Sequence, residues 1–460
     1  MRKRILEGPI LKTMIVLAWP VVVSNALQAL YNLIDAFWLG KVSTEALSAP
    51  TMAWPIIFTF MSLGIGFQMA GSTLVAQYTG AGDKDGADRA GTQLFSFLFL
   101  LATAVGVLGY GLAPLVLKLI RTPVNVFPLS VQYLRIVSLG FPVMYGAFAF
   151  TGLLLGVGDT RTPMYLMGAS VLANAILDPF LIFGWGPLPE LGVAGAAYAT
   201  VASRGVAALV GIWLLATGRV VIRLRSHWLL PRWRWIREIL KVGIPNAVDH
   251  VGMSLGFVVL MGLVAGFGTV VVAAYGVGQR LINLINVAIW GATTALLTMV
   301  GQNLGADQPD RAEEIAHRGI RSTVAVLFGF SLITFLLREP LYRAFIAAPD
   351  VIREGSRFLA IFGFSVPFFG LFAATSAVFR GAGHTVPPMV FSLLRLWVFR
   401  ILLSWLLAYR MDMGPTGLWA GMALSNLLGG LLIYAWLLRG TWKRRVIMPT
   451  QPVYTGEECD

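Results

Sequence analysis

Long apolar runs separated by short polar stretches recur along the whole chain. A helix needs about 20 mostly apolar residues to cross a bilayer. Twelve runs approach or exceed that length, at residues 13–37, 47–73, 92–118, 130–155, 163–185, 192–217, 238–264, 270–299, 320–337, 357–379, 388–409 and 415–438. Strands of a membrane barrel would be about 10 residues long and alternate strictly in polarity. The stretch from Leu94 to Leu117 does neither. The pattern therefore predicts an all-α polytopic membrane protein with twelve transmembrane helices. Several runs exceed a single crossing, which predicts tilt or kinks.

The polar interruptions repeat. Trp19-Pro20 is matched by Ile244-Pro245, with 245 − 20 = 225. Gln77-Tyr-Thr-Gly80 is matched by Gln302-Asn-Leu-Gly305, and 302 − 77 is again 225. Gly156-Val-Gly-Asp-Thr-Arg-Thr-Pro163 is matched by Gly381-Ala-Gly-His-Thr-Val-Pro-Pro388 at the same offset, 381 − 156 = 225. Gly192-x-x-Gly195 and Gly414-x-x-Gly417 are 222 apart, which implies a three-residue deletion. The expected organisation is two pseudo-symmetric six-helix bundles. Residues 1–217 form an N-terminal lobe, 218–237 a basic cytoplasmic linker, 238–438 a C-terminal lobe and 439–460 a cytoplasmic tail. Six spans return the chain to one side, so the halves share an orientation, as in transporters built from parallel repeats. A cavity between the bundles is the expected substrate path.

Composition agrees with the pattern. The chain is 57% hydrophobic and 12% charged, with mean hydropathy +0.75. Soluble domains carry about 25% charged residues, so an ordinary cytosolic enzyme, a disordered chain and a coiled coil are all excluded. Lys and Arg number 35 against 22 Asp and Glu, a net charge of +13. The cations crowd alternate loops. They include Arg2, Lys3, Arg4 and Lys12 at the start, Arg219 to Lys241 in the middle, and Arg439, Lys443, Arg444 and Arg445 at the end. This bias predicts a multi-pass protein of the cell inner (plasma) membrane with both termini cytoplasmic. The positive charge is thus topological, and a bilayer rather than nucleic acid is the expected partner. The single cysteine, Cys459, rules out a disulfide framework and a Cys-based metal site. Arg2-Lys-Arg4 leads into a long apolar run without a small-residue cleavage site, so it reads as a first anchor.

A carboxylate in hydrocarbon costs several kcal/mol. Most acids fall in loops or at span ends; Asp35, Asp178 and Asp249 do not. Ser24, Gln28, Tyr31 and Asp35 recur on one face of the first span, flanked by Asn25 and Asn32. Ser170, Asn174 and Asp178 recur at i, i+4 and i+8 in the fifth, and Pro179 frees the carbonyl of residue 175. Carboxylate, amide and carbonyl oxygens suit Na⁺, and the same carboxylate can carry H⁺ instead; the residues leave both open. Polar residues of this kind also serve as glue between helices. Asp249, beside His250, lies nearer a span end, where either a cavity or an interfacial role fits. Arg204, Arg280, Arg395 and Arg400 also fall inside spans, where they pair with acids, bind helix-end carbonyls or snorkel.

No HExxH, GxSxG, GxxxxGK[ST] or strand-borne GxGxxG is present, so an enzyme is not expected. Without an ATP site, uphill transport must draw on an ion gradient.

At this point the chain resembles the MATE family, the multidrug and toxic compound extrusion transporters. The resemblance rests on Leu17-Ala-Trp-Pro20, Asp35-x-Phe-Trp-Leu-Gly40, Ala46-Leu-Ser-Ala-Pro50, Gln77-x-x-Gly80-Ala81, Gly156-x-Gly-Asp159-Thr-x-x-Pro163 and Asn174-x-x-x-Asp178-Pro179-x-x-Ile182-Phe183-Gly184. It covers nearly the whole chain and looks most like the prokaryotic DinF-type branch. The resemblance implies that Asp35, Asn174 and Asp178 bind the coupling ion, with Tyr133 and Thr200 nearby; for Na⁺, the first three would be its ligands. It implies that Gln28 lines the drug cavity and that the first helix bends at Pro20 on protonation. Tyr31, Asn32 and Asp249 join Gln28 as expected cavity residues. NorM-type members use acids in spans seven and ten, but span ten here has none, so coupling in the first half is the expectation. The implied function is cation-coupled (H⁺ or Na⁺) multidrug efflux antiport of amphipathic, often cationic molecules by a monomer, with no cofactor beyond the transported ion. A flippase for lipid-linked precursors is the alternative, and it would need basic groups such as Arg204, Arg395 and Arg400 in the cavity.

Overall fold

The computed structural model describes residues 1–186 and 189–447. Cys459, the acids Glu457, Glu458 and Asp460, and most of the expected tail lie outside the described residues. The helices are α1 (Arg2–Glu7), α2 (Ile10–Gly40), α3 (Thr44–Gly80), α4 (Lys84–Leu119), α5 (Phe127–Leu139), α6 (Phe141–Val157), α7 (Arg161–Phe183), α8 (Gly192–Thr217), α9 (Trp233–Ala265), α10 (Thr269–Gly305), α11 (Pro309–Leu336), α12 (Arg338–Arg343), α13 (Pro349–Ile361), α14 (Val366–Gly381), α15 (Val386–Leu393), α16 (Leu403–Trp405) and α17 (Gly414–Leu437). No strand occurs among the described residues. Eleven helical segments are long and apolar enough to span a bilayer, and α5 with α6 forms a twelfth, bent by 49°. The bend falls at Gly140, two residues before Pro142, which cannot donate to the carbonyl of Ser138.

Two runs are less regular than their hydropathy implies. The tenth is interrupted by a 3₁₀ turn at Gly363–Ser365, ahead of Pro367. There the Ser365 hydroxyl caps the carbonyl of Phe362 at 2.7 Å. The eleventh winds as a π-helix over Leu394–Leu402 and again over Leu406–Arg410.

The motif repeat is a structural repeat. Helices α3 and α10 start at 44 and 269 and end at 80 and 305, an offset of 225 at both ends. The starts of α4 and α11 (309 − 84) and of α7 and α15 (386 − 161) keep that offset; α8 and α17 are 222 apart (414 − 192). The close contacts repeat as well. A methyl group added at Gly156 would lie 2.7 Å from the Ser72 carbonyl oxygen, and one at Gly381 would lie 2.5 Å from that of Leu297. Both residues of each pair differ by 225, so the same glycine lets the same two backbones approach in each half.

Packing divides the chain inside two helices rather than at the linker. Among the described residues, one compact unit runs from Pro20 to Ala247; the other comprises residues 1–19 and 248–447. The breaks lie at Pro20 and just after Pro245, where a missing N–H interrupts the helical ladder and lets the two segments pack separately. In the unit from Val248 onward, Ile5, Ile10, Met14 and Leu17 join a core with Leu296, Met299, Val300 and Phe379. In the Pro20–Ala247 unit, the Trp235 ring sits 5.7 Å from that of Tyr78. The first segment of each long entry helix is therefore exchanged between sequence halves. The linker is likewise strapped to α4 of the Pro20–Ala247 unit. Asp88 accepts from the Arg223 amide at 2.9 Å, Asp85 pairs with Arg225 at 3.0 Å, and Gln93 bonds the carbonyls of Trp228 and Leu230 and the amide of Arg232.

Gly156→Ala and Gly381→Ala should each destabilise the protein by about 1–3 kcal/mol, because the neighbouring backbone cannot yield cheaply. Gly111→Ala, where an added methyl meets nothing within 4 Å, should be neutral or slightly stabilising. Thermal unfolding in detergent measures all three. Equal melting temperatures for the three variants would contradict the packing argument.

Candidate functional site

In the Pro20–Ala247 unit, the polar stripe of α2 meets polar faces of α7 and α8. Helix α7 carries Ser170, Asn174 and Asp178 one turn apart, all buried. The Asn174 amide donates to Asp178 Oδ1 at 3.0 Å. Asp35 interacts electrostatically with Asp178, close to Asn174. The Thr200 hydroxyl of α8 donates to Asp35 Oδ2 at 3.5 Å. Tyr133 of α5 is buried within electrostatic range of Asp35, Asp178, Tyr31 and Arg204. The structure thus brings Asp35, Asn174, Asp178, Thr200 and Tyr133 into one cluster.

Four oxygens of this cluster are sealed from solvent and accept no hydrogen bond among the described residues: Asp35 Oδ1, Asn174 Oδ1, Asp178 Oδ2 and Ser170 Oγ. Neither aspartate forms an ion pair with a cationic side chain among the described residues. Buried oxygens of this kind are costly unless a cation satisfies them. The set has two carboxylates; no group of three or more His, Cys, Asp or Glu suited to a metal occurs among the described residues. It therefore fits a monovalent ion better than a tightly held divalent one.

The rest of the α2 stripe is engaged locally. Ser24 and Asn25 bond the carbonyls of Pro20 and Val21, each at 2.9 Å, just after the helix's proline. Gln28 donates to the exposed Asn32 at 3.2 Å and accepts from Arg204 at 3.1 Å. Tyr31 is buried, with its hydroxyl 2.9 Å from that of Ser203 and the Arg204 guanidinium 5.0 Å over its ring. Its hydroxyl needs a partner in an apolar interior, and α8 supplies one. Sequence reasoning passed over Ser203 and left Arg204 without a partner. Their signal was the spacing of Thr200, Ser203 and Arg204 at i, i+3 and i+4, which places all three on one face of α8.

Asp249 is set apart from this cluster. It belongs to the unit from Val248 onward, is 1% exposed, and pairs with Arg380 at 2.5 Å. Its charge is neutralised by the arginine that ends α14. Arg395 and Arg400 lie in the same unit, buried against Asn426.

Known proteins share this plan. A model of the MatE family matches residues 20–180 and again 245–406, and the two starts differ by 225. The probable multidrug resistance protein YpnP of Bacillus subtilis is 29% identical over 95% of this chain and 97% of its own length. A FAD transporter of Shewanella oneidensis is 26% identical over 94% of this chain and 95% of its own. A crystal structure of MATE in the bent conformation superposes with a TM-score of 0.90 at 22% identity, covering 96% of this chain and 98% of that one. The family match spans both six-helix halves, and its members are transporters rather than enzymes. The chain is a multi-pass membrane protein of the MATE multidrug efflux transporter family.

Proposed function

We propose that this protein is a cation-coupled antiporter of the inner (plasma) membrane, exporting amphipathic, often cationic small molecules. The observation that carries the reading is the proximity of Asp35 and Asp178, neither in an ion pair among the described residues, with Arg204 acting on Asp35 only at longer range. Two carboxylates this close repel strongly at low dielectric unless a positive charge lies between them. An H⁺ or a Na⁺ is that charge, and Asn174, Thr200 and Tyr133 complete its surroundings. The placement of this cluster in the first sequence half supports the DinF-type pattern read from the motifs.

Coupling follows from the position of the pair. Asp35 is on α2, which is divided at Pro20, whereas Asp178 and Asn174 are on α7. Occupation by a cation draws the two helices together; loss of the cation releases repulsion that α2 absorbs at its proline-weakened point. Two states of one helix, each favoured by a different occupant, are the minimum an antiporter requires. Gln28, Tyr31, Asn32 and Arg204 continue along α2 and α8, so movement of α2 alters the surface offered to cargo. The FAD transporter among the relatives shows that family membership leaves the cargo open, so the cargo class here rests on the acid-rich first-half site.

Ethidium efflux from proteoliposomes under an imposed pH gradient, then an imposed Na⁺ gradient, tests both transport and the coupling ion. Asp35→Asn and Asp178→Asn should each lower export at least about 100-fold while the protein stays folded, since each removes a group needed for ion exchange. Thr200→Ala should cost about 3–10-fold, as expected for one peripheral hydrogen bond. Undiminished export by both Asn variants would overturn the proposal.

Asp249 has a different role in this reading, that of a structural ion pair. Asp249→Ala should destabilise the fold by about 1–3 kcal/mol, because the half-buried Arg380 loses the carboxylate it pairs with. Asp249→Ala combined with Arg380→Leu should recover much of that loss in a thermal-unfolding assay. A stable, transport-dead Asp249→Ala single variant would instead make Asp249 part of the transport site.

A further inference from the structure

The unit from Val248 onward contains a buried cluster of opposite charge that ion coupling at Asp35 and Asp178 does not use. Arg395 and Arg400 are 2% and 6% exposed. Both lie in the π-helical stretch Leu394–Leu402. In an α-helix, residues five apart point about 140° away from one another. The i→i+5 winding of a π-helix returns them to nearly the same side. Here both guanidiniums reach one acceptor. Asn426 Oδ1 receives Arg400 Nη2 at 2.6 Å and Arg395 Nη1 at 3.2 Å. Arg400 Nε also donates to Ser425 Oγ at 3.0 Å, and the Asn426 amide is held by Ser365 Oγ at 2.9 Å.

Charge around this cluster is unbalanced. No Asp or Glu among the described residues forms an ion pair with either arginine. The acid that interacts with Arg395 at longer range, Asp249, is already paired with Arg380. What faces the cations is aromatic: Phe372 and Phe369 at 4.7 and 5.1 Å from Arg395, and Phe362 at 5.5 Å from Arg400. Those faces stabilise a cation but do not neutralise it. Three hydrogen bonds use only part of the N–H donors that two guanidiniums carry. Arg395 Nε is sealed without a partner, and neither Arg395 Nη2 nor Arg400 Nη1 forms a hydrogen bond among the described residues. The stem of Arg395 is seated on Gly429, where an added methyl would lie 2.6 Å from its Cδ.

The repeat sharpens the contrast. Ser425 and Asn426 stand 222 residues after Ser203 and Arg204, the offset of α17 from α8 (425 − 203 and 426 − 204). Arg395 stands 225 after Ser170 (395 − 170). Arg400 stands 225 after Ala175 (400 − 175), so the second-half counterpart of the α7 segment carries two guanidiniums, and the position of Asp178 is taken there by Leu403.

We propose that Arg395 and Arg400 form an oxyanion-binding subsite that takes the phosphate or carboxylate of an amphipathic ligand. Two forks converging on one point match a tetrahedral or planar oxyanion, and the phenylalanines provide an apolar wall for the ligand's body. The site adds anionic and zwitterionic molecules to the range the protein binds, and it is independent of the coupling ion.

The test titrates the full-length chain in phosphatidylcholine nanodiscs with n-octyl phosphate, following tryptophan fluorescence. Octyl glucoside serves as the neutral control and n-octyltrimethylammonium as the cationic one. Saturable binding of octyl phosphate, competed by inorganic phosphate and absent for the glucoside, is expected. Arg395→Gln and Arg400→Gln should each weaken it about 10-fold or more, Arg400→Lys by less, and none should alter binding of the cation. Nanodiscs with phosphatidylglycerol separate two sources of the same chemistry: competition identifies a lipid headgroup, and its absence a soluble ligand. Wild-type protein that binds octyl phosphate no better than the glucoside would overturn the proposal, as would full binding by folded Gln variants. The wild-type comparison needs no variant and no transport, so it decides the matter even if ion coupling at Asp35 and Asp178 fails its own test.

Discussion

A bilayer interior supplies no water, so each polar group carried into it must be answered by another part of the protein. That constraint accounts for the architecture at every level. It selects helices, whose backbone groups are satisfied within the segment, and it leaves few charged residues inside the spans. It makes each exception informative. Polar side chains inside a span are answered by its own backbone; Ser24 and Asn25 donate to the carbonyls of Pro20 and Val21. Where a charge is buried, it has a hydrogen-bond partner or a π face.

The two halves answer the constraint with one backbone plan and two chemistries. Helix starts, glycine contacts and the family match all recur at an offset of 225. Within that plan, α7 and α8 of the first half set Asp178 and Asn174 beside Thr200, Ser203 and Arg204. The corresponding segments of the second half set Arg395 and Arg400 beside Ser425 and Asn426. A duplicated bundle preserves the positions at which helices touch, because those depend on glycine and small residues. The polar residues pointing into each bundle are free to diverge. A different charge on equivalent helices thus requires no change of fold.

The exchange of helix segments across Pro20 and Pro245 ties mechanism to this frame. Residues before Pro20 pack in one compact unit and residues after it in the other. Pro20 divides α2 at a defined position, and Asp35 lies on the segment beyond it. Ile10, Met14 and Leu17, before Pro20, belong to the core that includes Leu296, Met299 and Phe379.

Much of this was legible in the residues alone. Run length and charge scarcity gave twelve spans, and motif spacing gave the duplication. The rarity of acids in apolar runs singled out Asp35, Asp178 and Asp249. These properties follow from local composition and periodicity, which a linear chain displays directly. Pairing does not. Asp249 looked like its fellow acids, yet it is tied to Arg380, 131 residues away. Arg204 had no visible partner, yet it bonds Gln28 and covers Tyr31 across the helix pair. The exchange of helix segments at the prolines was hidden because motif symmetry marks where a repeat begins, not which bundle a segment packs against. The π-helix that aligns Arg395 with Arg400 was hidden because apolar periodicity does not distinguish i→i+4 from i→i+5 winding over two turns. Contacts between residues distant in sequence depend on how helices are rotated against one another, and that rotation is set by packing in three dimensions.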